Sequence, residues 1–111
     1  MDHFEKFRYI GAAIGDCAGI KGCEEAPDAI LKRFPYLAPC WDQTVEAIAQ
    51  ANKVAMLEDF SLRLAKATKK VVEQNKKFIT FGGDHSCAIG TWSGVAAHHD
   101  RFGLIWIDAH M

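Results

Sequence analysis

The chain has 111 residues, half of them hydrophobic, which suits one small domain or part of one and excludes a multidomain assembly. Thirteen basic residues against fourteen acidic ones leave a formal net charge of -1, so no global field draws in nucleic acid or an anionic membrane surface. No apolar run approaches the roughly eighteen residues of a membrane span. The Met-Asp-His-Phe-Glu start lacks the layout of a signal peptide, and Cys17, Cys23, Cys40 and Cys87 form no C-x-x-C pair. A cytoplasmic protein with reduced thiols is the expectation.

Phe7 to Ala13 reads as a short buried strand, followed by a loop, with Gly11, Gly15, Gly19 and Gly22 punctuating the backbone. Glu24-Glu25-Ala26-Pro27 opens a helix to about Phe34, with acidic residues at the positive end of the dipole and proline in the first turn. Pro35 and Pro39 end it. Gln43 to Lys77 reads as helical, with Leu57, Phe60, Leu64 and Val71 on one face and a break near Ala51-Asn52 that makes two helices. Phe78-Ile79-Thr80-Phe81 is a compact strand and Ser86 to His98 a helix. Gly103-Leu104-Ile105-Trp106-Ile107 is a third strand, apolar on both faces. Apolar strands alternating with helices point to an α/β fold, three-layered, with a parallel sheet covered by helices. About three strands leave the hydrophobic edges of such a sheet uncovered. The expectation is the N-terminal part of a larger domain, spanning residues 1–111 and truncated after the third strand.

The chemistry concentrates at two strand ends. On an extended strand Asp108 and His110 share a face, offering a carboxylate and an imidazole together. Gly82-Gly83 permits a tight turn that carries His85 to the carboxyl rim of the sheet, where ligands of open α/β folds collect. Taken alone, His85 is equally a helix-start residue and Asp84 an N-cap. Three such groups at matching rims favour metal ligation by His85, Asp108 and His110, a nitrogen and oxygen mixture suited to a divalent cation.

Other candidates carry less. No G-x-G-x-x-G or G-K-[ST] spacing supports a nucleotide site. His98-His99-Asp100 reads as a solvated helix C-terminus. Cys87, although near a helix start, lacks a histidine placed as its base and reads as a core residue. Trp92 and Trp106 are expected in core and helix-sheet contacts, and Glu24 and Glu25 as helix-start charges.

Gly82-Gly83-Asp84-His85-Ser86 and Asp108-Ala109-His110 resemble the two signature segments of the ureohydrolases, the arginase and agmatinase family. Gly11, the glycine-rich loop, Gly22-Cys23-Glu24-Glu25-Ala26-Pro27 and Ile30 are similar to the family's opening strand, loop and first helix, whereas Pro35 to about Val54 fits loosely. The flanks Ala88-Ile89-Gly90-Thr91-Trp92-Ser93-Gly94 and Gly103-Leu104-Ile105-Trp106-Ile107 resemble arginases more than agmatinases.

The resemblance implies an arginase-like three-layer αβα domain that hydrolyses a guanidinium group to urea and an amine with two manganese ions bridged by hydroxide. L-arginine giving L-ornithine and urea is the expected reaction, with agmatine or another guanidino acid as the alternative substrate. Carried over by position, His85 binds one manganese, His110 the other, and Asp108 bridges both. Two cations lower the pKa of a shared water and stabilise the charge that develops on attack. The resemblance further implies a small guanidino substrate, no nucleic acid or membrane partner, and a homo-oligomer, trimer or hexamer, at full length. The family's remaining aspartates, its substrate loop and its proton-shuttling histidine would fall beyond Met111, so the chain by itself is expected to be inactive. The competing reading is a non-catalytic fragment acting as a folding or interaction module.

Overall fold

β1 (Phe7–Ala13) is the central strand of a parallel sheet of order β2-β1-β3, flanked by β2 (Trp41–Glu46) and β3 (Lys77–Gly82) in a computed structural model. The structure describes residues 6–18 and 21–110. The Met-Asp-His-Phe-Glu start, Gly19 of the glycine-punctuated loop and Met111 lie outside the described residues. Among the described residues, three α-helices accompany the sheet: α1 (Ala26–Arg33), α2 (Lys53–Glu73) and α3 (Cys87–Ala96).

The pleat sorts β1 between two layers. Ile10 and Ala12 face α2 and join Val45 of β2 with Met56, Phe60, Leu64, Ala67 and Val71 in the main core. Phe60, Leu64 and Val71, expected on one helical face, are all buried there. Tyr9 faces the opposite way and stacks on Phe81 of β3 at 5.9 Å, and Trp41 stacks on Phe81 at 5.8 Å. Ile30 of α1 and Leu37 lie beside these rings. Helices therefore cover both faces, and the three-layer α/β arrangement holds.

α2 and α3 touch because α3 carries no side chain where they cross. A Cβ on Gly94 would fall 2.6 Å from the Ala65 carbonyl and collide with the hydroxyl of the fully buried Thr68, and one on Gly90 would fall 2.7 Å from the Ser61 carbonyl. Thr68 Oγ1 uses the space to donate to the Ala65 carbonyl at 3.1 Å.

Two expectations are corrected. The first is the helix from Gln43: Trp41–Glu46 is instead the edge strand β2, paired with β1 from Ile10↔Gln43 to Ala13↔Glu46. Only Val45 of this strand is buried, so its own sequence carries little of the apolar alternation that marks a strand, and pairing with β1 decides its state. Arg8 Nε of β1 donates to Asp42 Oδ1 at 2.7 Å, fixing the strand on its neighbour, and Trp41 Nε1 donates to Thr44 Oγ1 at 2.9 Å within β2. The expected break holds: Asn52 caps α2, its side chain accepting the Ala55 amide at 2.9 Å.

The second correction concerns residues 103–107, which form no strand. An extended apolar run becomes a strand only where a neighbouring backbone completes its ladder, and among the described residues this run has none. Ile105 and Ile107 are instead 87% and 94% exposed. The segment passes beside α3, where Trp106 meets Trp92 edge to face at 5.2 Å.

Candidate metal centre

β1 and β3 end side by side, with Ala12 opposite Gly82, so the loops that follow them share one rim. Gly83 adopts φ +27°, and a Cβ there would sit 2.5 Å from the Ala12 carbonyl and 2.6 Å from that of Ile14. Only glycine lets the second loop lie this close to the first. The Asp84 amide then donates to the Ile14 carbonyl at 2.8 Å.

The Asp84 carboxylate fastens both loops. Its Oδ2 accepts the Cys17 amide at 2.9 Å, and its Oδ1 accepts the Ser86 amide at 2.9 Å together with the Ser86 hydroxyl. Asp84 is therefore more than an N-cap: it is a buried cross-loop staple, while Ser86 takes the cap position of α3 without a capping side-chain bond. Held between these anchors, His85 projects outward with its side chain 69% exposed.

Asp108 and His110 arrive by a different route from the one expected. A turn, rather than strand alternation, brings them together: Asp108 Oδ1 accepts the His110 amide at 2.7 Å and lies 2.7 Å from the His110 ring nitrogen Nδ1. Trp106 Nε1 donates to Asp108 Oδ2 at 3.0 Å, and His85 Nε2 lies 3.7 Å from the same oxygen. Each carboxylate oxygen thus faces one histidine, and the two imidazoles stand nearly perpendicular with ring centres 5.8 Å apart. Ligating atoms of His85, Asp108 and His110 all lie within 4.8 Å of one another. The His110 amide first, then its ring and the Trp106 indole, hold the Asp108 carboxyl below the usual carboxylate range. That favours the anionic, ligating form at neutral pH.

A cleft of about 520 Å³ opens beside this cluster, lined among others by His85, Trp106, Cys17, Cys23 and Cys87. Burial first, then the nearby Asp84, pushes the Cys87 thiol up, in keeping with a packed rather than reactive cysteine. His98 and His99 are exposed just past the end of α3 and join no metal-ligand cluster among the described residues. Trp106, expected in core and helix-sheet contacts, is 51% exposed, meets Trp92 of α3 and donates to Asp108. The one sequence signal for that role is an indole donor two positions before a carboxylate. For Asp84 the signal was its place beside a glycine pair, and its Cys17 partner 67 residues away was invisible.

The donor set of one carboxylate and two imidazoles fits a borderline divalent cation. Among the described residues, no helix is long and apolar enough to cross a membrane.

The sequence matches the family model described as the arginase family over residues 5–111. It is 43% identical to the arginase of Bacillus caldovelox over 68 residues, which cover 61% of this chain and 20% of that protein. It is 49% identical to the mitochondrial arginase-2 of Rattus norvegicus over 47 residues, which cover 42% of this chain and 13% of that protein. The fold superposes on the crystal structure of arginase from Bacillus subtilis with a TM-score of 0.76 at 29% identity, covering 94% of this chain and 39% of that one. The match to the Bacillus caldovelox structure has a TM-score of 0.70 and covers 41% of that chain. The chain thus spans about two fifths of the solved arginases it resembles. With the family model matching residues 5–111 and the parallel sheet superposing on solved arginases, the chain belongs to the arginase family.

Proposed function

We propose that this chain supplies manganese ligands to a ureohydrolase that cleaves the guanidino group of L-arginine to L-ornithine and urea. The observation that carries the reading is the carboxylate of Asp108, which turns one oxygen toward His85 and the other toward His110. In this reading His85 and His110 each hold one of two ions and Asp108 is shared between them. When bound, the ions supply hydroxide near neutral pH and offset the negative charge that develops on the attacked carbon's substituents. The chain's own contribution is positional. Asp84 and Gly83 set the loop that presents His85, and the Trp106 indole and the His110 amide orient the Asp108 carboxylate. Membership of the arginase family supports the reaction class, and the arginase names of the similar proteins support arginine over agmatine.

Calorimetric titration of the chain with manganese tests the ligand assignment. Binding weakened more than about 10-fold by His110→Ala or His85→Ala supports it, since even outer partners of metal ligands are worth about that much. Equal binding by wild type and both variants would remove these residues from the site. Urea release by the intact protein, measured with L-arginine and with agmatine in manganese, tests the reaction. No release from either would overturn it.

A further inference from the structure

Two of the thiols that line the cleft belong to the same small excursion of the chain. Gly15 packs on Glu24 so closely that a Cβ on Gly15 would fall 3.1 Å from the Glu24 amide nitrogen and collide with the Glu24 carboxylate. The chain therefore returns upon itself at residues 15 and 24, and Cys17 and Cys23 lie just inside that neck. Each cysteine sits in a local turn: the Ala18 amide donates to the Gly15 carbonyl at 3.2 Å, and the Glu25 amide to the Gly22 carbonyl at 3.0 Å. The Cys17 amide is fixed on Asp84, so this side of the pair is anchored to the sheet rim. Cys17 is exposed, Cys23 is half-buried, both thiols are free, and both line the same cleft.

We infer that Cys17 and Cys23 form a redox-sensitive dithiol that a hydroperoxide converts to an intrachain disulfide at the mouth of the cleft. The exposed Cys17 sulfur attacks the peroxide, an S–O bond forms, the O–O bond breaks and hydroxide leaves, taking a proton to give water. The Cys23 sulfur then attacks Cys17, the S–S bond forms, the S–O bond breaks, and a second water departs. Two thiols and one hydrogen peroxide thus give one disulfide and two waters, the sulfurs losing the two electrons that the peroxide gains. A short loop with a neck already closed makes the ring inexpensive in chain entropy. Cys87 is the less able partner, because burial keeps its sulfur protonated and packed beside Gly82.

The experiment is thiol counting and peptide mass mapping of the chain before and after mild hydrogen peroxide, with Cys17→Ser, Cys23→Ser and Cys87→Ser alongside. The expected result is a fall from four free thiols to two in wild type, a mapped bond between the peptides of Cys17 and Cys23, the same bond in Cys87→Ser, and none in the other two variants. Trapping with dimedone should label Cys17 in Cys23→Ser. A mapped bond from Cys17 to Cys87, a bond between two chains only, or no loss of thiols would overturn the inference. Mapping on wild type decides the matter even if a variant folds poorly, and neither readout depends on the metal assignment.

Discussion

Replacing Asp84 by asparagine changes one of two acceptor oxygens into a donor and leaves the shape almost untouched. In wild type both oxygens are used: Oδ2 by the Cys17 amide, Oδ1 by the Ser86 amide and hydroxyl. The residue is 8% exposed, so water does little to screen or replace these bonds. Whichever way the amide group turns, its NH2 meets a backbone N–H, and one donor is left unsatisfied. A hydrogen bond to a charged group contributes about 1.5–3 kcal/mol, and an orphaned buried donor costs about 1–3 kcal/mol. Asp84→Asn should therefore destabilise by about 1–3 kcal/mol. Asp84→Ala, which removes both backbone contacts, should cost about 3–5 kcal/mol. A small domain has about 5–15 kcal/mol in all, and each kcal/mol moves its midpoint by about 4–8 °C. Urea unfolding followed by circular dichroism measures the change, and amide exchange at Cys17 and Ser86 should accelerate in both variants. An asparagine variant within about 0.5 kcal/mol of wild type, the range of an ordinary surface change, would refute the staple.

Gly94→Ala should destabilise by about 1–3 kcal/mol in the same unfolding assay, because the new methyl meets the Ala65 carbonyl and Thr68 with both helices already in contact. Cys87 should react with a maleimide at neutral pH at least about 10-fold more slowly than Cys17, because burial raises its pKa and keeps the unreactive thiol form. The gap should narrow only above the ordinary thiol range, and equal rates measured by peptide mapping would remove the packing argument. The Asp108 carboxyl is held low in the folded state, so its bonds to the His110 amide and Trp106 should be fully present above the ordinary carboxylate value of 3.8 and be lost as pH falls through the lower folded value. The Trp106 indole N–H resonance should accordingly show a step below about 4, as Asp108 takes up its proton. No step below about 4 would contradict the assigned partners.

The features legible in the sequence were those with short-range causes. Phe60, Leu64 and Val71 follow a helical period and Asn52 marks its start, which makes α2 legible in the sequence. Phe7–Ala13 and the run ending at Gly82 are apolar and short, which marks them as strand candidates, and the glycine pair puts His85 on a turn at the rim. The three candidate ligands could be named because residue type and position sufficed. Tertiary structure decided the remainder. Gln43–Glu46 is strand only because β1 offers its ladder, and Gly103–Ile107 is not strand because no backbone lies beside it among the described residues. The meeting of Asp108 with His85, the bond from Trp106, and the hold of Asp84 on Cys17 join residues that local pattern cannot connect. Hydrophobic period and turn chemistry act over a few residues. Ladder pairing and the satisfaction of buried polar groups act across the fold, and only the folded chain specifies their partners.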